Sequence, residues 1–213
     1  FEFMEQSPES VSMYVAVNPL EDDEGDQMEE FAAEDGVEDI NFYPARCQNG
    51  TDLSLQRTED GGWRLLQRVA DSEVDTLAIH KFIPFATAPV RYFKPDDIED
   101  AANSFPDINF EIIHAGFSFV EETVLAMASH DNVYANLENT ACLVNTRPRK
   151  FAKALGEMLY WAGPDRIVYA SGATALHPQP PIEGIQNFEM PEDLIEDYDY
   201  PKVTQDMKEK ILG

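Results

Sequence analysis

The sequence predicts an α/β fold in which parallel strands alternate with helices, and three observations carry that expectation. Apolar runs of strand length and amphipathic segments of helix length alternate six times along the 213 residues. No two strand segments are joined by a tight hairpin turn, so each pair needs a crossover, the mark of a parallel sheet. Two of the runs, Leu77-Ala78-Ile79-His80 and Phe110-Glu111-Ile112-Ile113-His114, end in a histidine and stand roughly thirty residues apart, the length of one βαβ unit. One reading bonds each histidine to a nearby carbonyl. The other places both at strand C-terminal ends, where barrels of parallel strands carry their active sites.

In order, Val11 to Val17 is an expected strand closed by Asn18-Pro19, and Met28, Phe31 and Ala32 fall at helical spacing before Gly36. Val37 to Tyr43 is the second strand, ended by Pro44. Ala45 to Gly62 is polar and irregular. Trp63, Leu66 and Val69 mark a helix, and the third strand ends at His80. Lys81 to Pro95 is a loop with three prolines, Pro84, Pro89 and Pro95. Asp96 to Ser104 forms a helix on Ile98, Ala101 and Ala102, and the fourth strand ends at His114. Val120, Val124 and Met127 stripe the next helix, closed by His130-Asp131-Asn132. Val133 to Leu137 is strand five. Phe151, Leu155, Met158 and Leu159 make a strongly amphipathic helix stopped by Gly163-Pro164. Ile167 to Ser171 is strand six, Gly172 to Pro201 a long loop, and Thr204 to Leu212 the last helix.

Composition bounds the partners. With 43% hydrophobic residues the chain is globular, and one domain spanning residues 1–213 is expected. Forty-one acidic against fifteen basic residues leave a net charge of -26, which argues against nucleic acid and anionic membrane surfaces as partners. The acid is spread over the chain instead of forming a tail, as expected of a protein working in high salt, a halophile's cytoplasm. Cys47 and Cys142 are too few and too far apart for a disulfide scaffold, which fits a reducing cytoplasm. No stretch approaches a membrane span or a basic–apolar leader. Asn49-Gly50-Thr51 reads as a turn. The start at Phe1, running at once into acidic and Ser-rich residues, suggests a piece of something longer.

Periodicity leaves an open doubly wound sheet and part of an eight-unit barrel both standing. A doubly wound nucleotide binder wants a Gly-rich turn after its first strand. Asn18-Pro19-Leu20-Glu21-Asp22 is acidic and glycine-poor, which argues against phosphate binding there.

Four motifs in order resemble the amidohydrolase superfamily, closest to the amidohydrolase-related branch that includes aminocarboxymuconate semialdehyde decarboxylase. Leu77 to His80 is similar to its fifth strand. Phe105-Pro106-Asp107 with His114-Ala115-Gly116 resembles its sixth, and Asn132 to Leu137 its seventh. Gly163-Pro164-Asp165-Arg166-Ile167-Val168-Tyr169-Ala170-Ser171 resembles its eighth, with Lys208 to Gly213 similar to its closing helix. The resemblance implies a (β/α)8 TIM barrel of which this chain supplies strands three to eight. It implies one divalent metal ion, zinc with manganese as the alternative, held by His80, with His114 as general acid/base beside the metal in the decarboxylase-like branch and a metal ligand in other branches. No lysine ends the second visible strand, so a carboxylated-lysine bridge between two metals is not expected.

Two departures stand out. The family's H-x-H pair does not occur in the 213 residues, and its eighth-strand aspartate falls on Gly172. Restoring that carboxylate with Gly172→Asp is expected to tighten metal binding. His177, in Leu176-His177-Pro178, is a nearby candidate for contact with substrate or metal, its alternative an ordinary loop histidine. Tyr43 and Arg46 follow the second strand as substrate-binding candidates. Arg46 suits a substrate carboxylate, or else a salt bridge to a neighbouring acid. Glu138, after strand five, is placed to orient a histidine or a water, and His130 is read as a structural helix end.

The function expected is a metal-dependent hydrolase acting on a C–N or C–O bond of a small organic acid or lactone. A non-oxidative decarboxylase on the same scaffold is the first alternative. The second is a catalytically silent barrel serving as a partner subunit, motivated by Gly172 and the missing H-x-H pair. A homo-oligomer or a partner chain is expected, because strand edges left open by a partial barrel invite pairing. The charge makes a first prediction: in a melting series, stability rises from low salt to molar KCl as self-repulsion is screened, and a flat or falling series contradicts a high-salt origin.

Overall fold

The computed structural model describes residues 13–17, 37–43, 55, 62–81, 90–173 and 177–213. Six strands lie in chain order in one sheet: β1 (Met13–Val17), β2 (Val37–Phe42), β3 (Thr76–His80), β4 (Asn109–Ile113), β5 (Val133–Asn136) and β6 (Ile167–Val168). The registered pairs β1/β2, β2/β3 and β5/β6 are parallel, as the absence of hairpin turns required. The helix expected around Met28 and Phe31 lies outside the described residues. The chain divides into two compact units, Phe1–Glu111 and Ile112–Gly213, whose boundary falls inside β4.

In the first unit Val15, Ile40 and Leu77 stand in register across β1, β2 and β3, and all three are buried. In β3, Leu77, Ala78, Ile79 and His80 are buried in succession. Such a continuous run is what a strand covered on both faces reads as. Helix α1 (Gly62–Ala70) buries Leu65, Leu66 and Val69, and Ser72 Oγ closes the turn into β3 by donating to Val69 O at 2.8 Å. Helix α2 (Ile98–Ser104) starts two residues later than the sequence suggests. The Asp97 carboxylate does not cap it. It accepts instead from Lys81 Nζ at 2.8 and 2.9 Å and from Leu55 N at 3.0 Å. Asn109 N donates to Asp75 O at 2.7 Å and so brings the start of β4 to the β3 side.

Lys81 is 0% exposed and Asp97 3%. A buried pair of this kind is costly to break from one side, because the survivor keeps an uncompensated charge.

In the second unit Ala115 N donates to Asn136 O, and Leu137 N to Val168 O, continuing the ladder past the ends of β4 and β5. Helices α3 (Val120–Ser129), α4 (Leu143–Thr146) and α5 (Pro148–Ala162) follow, with Phe151, Leu155 and Met158 of α5 buried. Arg166 Nη1 donates to the carbonyls of Met127 (2.6 Å), His130 (2.8 Å) and Val133 (3.3 Å). It thereby satisfies the orphan carbonyls where α3 ends and β5 begins. Gly156 is a glycine because the Tyr200 ring lies over it: a Cβ there would stand 2.3 Å from Tyr200 Cδ2.

Two expectations are corrected. Strand six stops at Val168, not Ser171, because Tyr169 N leaves the ladder and donates to Ile211 O of the closing helix. The stretch Gly172 to Pro201 is not a plain loop. It holds α6 (Gln179–Gln186) and α7 (Glu192–Tyr198) before α8 (Gln205–Leu212). Its prolines read as breakers in sequence, yet Pro180 sits in the first turn of α6, where a missing N–H costs nothing. Pro191 precedes α7, whose first turn carries Glu192 and Asp193, acids favoured at a helix N-terminus.

The buried pair makes the second prediction. Lys81→Met should destabilise the chain by about 3–5 kcal/mol, and Lys81→Met combined with Asp97→Leu should recover a large part of that loss. Urea denaturation checks it, and a loss below about 1 kcal/mol for the single variant contradicts a buried, compensated pair.

Candidate active site

His80 ends β3 and is 8% exposed. Tyr43, one residue past β2, stacks its ring on the imidazole with centroids 3.8 Å apart and planes 14° from parallel. One sequence-named candidate is therefore brought against another, and the stack fixes the imidazole plane at the strand end. Lys81, next in the chain, belongs to the buried pair with Asp97 and anchors the backbone that carries His80. Arg46 lies outside the described residues.

His114 stands one residue past β4, not within it. It is 1% exposed and adopts φ 65°, the left-handed region that costs a non-glycine residue roughly 1–2 kcal/mol. Ala115 and Gly116 follow. Gly116 has φ 78°, and a Cβ on it would stand 2.7 Å from Met158 Cε and 3.1 Å from Ala154 Cβ of α5. The glycine of the H-x-G motif thus serves both conformation and packing, which lets the kink at His114 form against α5.

The imidazole is held from β5. His114 Nδ1 is 3.0 Å from Glu138 O; Asn139 Nδ2, itself a donor, lies 3.5 Å away and makes no hydrogen bond to a protonated Nδ1. A carbonyl oxygen can only accept, so Nδ1 carries the proton, and in the neutral ring the lone pair resides on Nε2. Burial lowers the His114 pKa below its ordinary 6.5, partly opposed by the bond to Glu138 O. Glu138 is half-buried, and burial pushes its carboxyl up. Its N donates to Asn136 Oδ1 at 2.9 Å. A neutral base and a desolvated acid are held on adjacent strand ends, an arrangement suited to proton transfer.

Gly172 has φ 60°, and a Cβ there would meet Asn139 Oδ1 at 2.9 Å and Glu138 Cγ and Oε1 at 3.3 Å. An aspartate introduced at 172 would adopt a left-handed φ and displace both side chains, a cost the sequence does not reveal. His177 is exposed, and its Nδ1 accepts from Gln179 N at 3.2 Å, at the entrance of α6. His130 Nδ1 lies 3.2 Å from Ala126 O at the end of α3, the structural place expected for it.

The donors on these strand ends, imidazole nitrogen and carboxylate oxygen, are those zinc and manganese take. Among the described residues no three ligating side chains converge into one cluster. His80 and His114 were legible as strand-end histidines. The Lys81–Asp97 pair and the Asn139 contact were missed. Only the adjacency of a lysine to His80 in so acidic a chain hinted at the first.

The amidohydrolase family model matches residues 2–213, and the chain belongs to that family. Among curated proteins none matches the chain. Solved structures share its fold. A TIM-barrel protein from Bordetella bronchiseptica is 16% identical with a TM-score of 0.66, over 99% of this chain and 66% of that one. A 2,6-dihydroxybenzoate decarboxylase from Rhizobium is 11% identical with a TM-score of 0.68, over 99% and 71%. A dihydroxybenzoic acid decarboxylase from Polaromonas with bound manganese is 12% identical with a TM-score of 0.65, over 99% and 69%. The chain spans about two thirds of the length of these structures, and the barrel is the architecture they share with it. No helix among the described residues is long and apolar enough to cross a membrane.

The lowered His114 pKa makes the third prediction. The unfolded chain binds a proton at this residue between pH 6.5 and the lower folded value. The stabilisation is therefore complete above pH 6.5 and is lost as pH falls through the folded pKa. Melting temperatures between pH 7.5 and 5 should fall more steeply for the wild type than for His114→Gln. Equal slopes contradict a neutral, buried His114.

Proposed function

We propose that the chain carries a metal-dependent hydrolase site of the amidohydrolase type, acting on a C–N or C–O bond of a small organic acid or lactone. The single observation that carries this reading is the environment of His114: buried, kinked into the left-handed region, and bonded through Nδ1 to Glu138 O. Strain of this kind at a strand C-terminal end is characteristic of active sites. A neutral imidazole with its lone pair on Nε2 can take a proton from an attacking water and return it to a leaving nitrogen or oxygen.

His80 would hold the metal, its ring plane set by the Tyr43 stack. When bound, the metal lowers the pKa of its water and polarises the substrate carbonyl. Tyr43 would supply an aromatic wall for the substrate beside His80. Zinc is the expected ion, with manganese the alternative.

Elemental analysis and turnover of two variants test this reading. His80→Ala should lose the metal acquired during growth in zinc or manganese. His114→Ala should keep most of it and lose turnover by about a hundredfold or more. Wild type and His80→Ala holding equally little metal would sink the reading. Carbon dioxide released from an aromatic or unsaturated acid would replace hydrolysis with decarboxylation.

A further inference from the structure

Three strand ends of the second unit carry the same unusual backbone. His114 after β4 has φ 65°, Asn139 after β5 has φ 58°, and Gly172 beyond β6 has φ 60°. All three lie in the unit Ile112–Gly213. Glycine adopts this conformation freely, and asparagine tolerates it better than most residues. The plain reading of Asn139 is therefore a turn residue, for which glycine would serve as well. Its carboxamide does more than a turn asks. One end lies 3.5 Å from His114 Nδ1. The other lies 2.9 Å from where a Cβ on Gly172 would stand, and Glu138 Oε1 is 3.3 Å from that same point. The amide thus reaches from the imidazole to the neighbourhood of the Glu138 carboxyl.

Its direction decides what it does. With Nδ2 toward His114, an NH₂ group faces Nδ1–H, donor against donor, while Oδ1 is on the side of Glu138 Oε1, acceptor against acceptor. A half-turn about Cβ–Cγ exchanges the two ends of a carboxamide and moves no other atom. Both mismatches then become matches. Oδ1 accepts from His114 Nδ1–H as the weaker partner of Glu138 O, which accepts at 3.0 Å, and Nδ2 donates toward the carboxyl.

We propose that Asn139 is a positioning residue for His114, its amide oxygen sharing the Nδ1 proton with the Glu138 carbonyl and its amide nitrogen turned to the Glu138 carboxyl. The inference rests on the reading of His114 as a base and needs no metal. Two acceptors on Nδ1–H hold the ring in one tautomer and one plane, which keeps the Nε2 lone pair in place for proton transfer.

The test is the exchange of the His114 Nδ1–H proton with water at pH 7, read by NMR on ¹⁵N-labelled wild type, Asn139→Gly and Asn139→Asp, with melting curves of all three. Glycine keeps the left-handed turn without strain and removes the amide, whereas aspartate keeps an oxygen facing Nδ1–H. In Asn139→Gly the proton should exchange about three- to tenfold faster, with the melting temperature held. In Asn139→Asp it should exchange no faster than in the wild type, because a charged acceptor binds it at least as well. Exchange unchanged by Asn139→Gly makes Asn139 a turn residue only; it overturns the assignment and leaves the base reading standing. Faster exchange that comes with a melting temperature several degrees lower, or that Asn139→Asp shows equally, marks a loosened turn and overturns the assignment too. A wild-type ring with its proton on Nε2 overturns both.

Discussion

The hydrogen bond from His114 Nδ1 to the Glu138 carbonyl is the interaction on which the account of the site depends. It joins the end of β4 to the end of β5, names the tautomer, and gives the left-handed turn at His114 a reason to persist. A non-glycine residue at φ 65° is unfavourable in isolation. Here the surrounding structure over-determines it. Ala115 N is tied to Asn136 O, Gly116 yields its side-chain space to Met158 and Ala154, and the imidazole is buried. The geometry is thus distributed over the strand ends and α5.

The first unit uses a different device to hold its strand-end histidine. His80 lies within β3, and its imidazole is stacked on Tyr43, while the next residue is pinned by a buried ion pair. Lys81 and Asp97 come from opposite ends of the loop between β3 and α2, so their pair closes that loop. Asp97 also accepts from Leu55 N, drawing in a third segment. A hydrophobic pair of the same volume could be as stable. What the ions add is directionality, at the ends of a segment that holds three prolines.

Much of the fold was legible in sequence because its determinants are local. β3 and β4 are apolar runs of strand length, and α5 carries a clean 3.6-residue stripe. The alternation of strand and helix itself implies parallel pairing. What escaped was set by tertiary contacts. The early end of β6 depends on Ile211 O capturing Tyr169 N from 42 positions downstream. The helices between Gly172 and Pro201 begin at prolines, whose effect depends on whether they fall in a first turn or an interior one. Gly172 could be recognised as a missing carboxylate, but its neighbours Glu138 and Asn139 could be found only in three dimensions.

The central claim is that His114 is a neutral base with its proton on Nδ1. Long-range proton–nitrogen NMR of the imidazoles in uniformly ¹⁵N-labelled chain tests it most directly, with the His114 signals assigned by loss in His114→Gln. The account predicts, at pH 7, a neutral ring with a protonated Nδ1 and an unprotonated Nε2, and a midpoint below 6.5 on acid titration. A ring that is charged at pH 7, or neutral with its proton on Nε2, would contradict it.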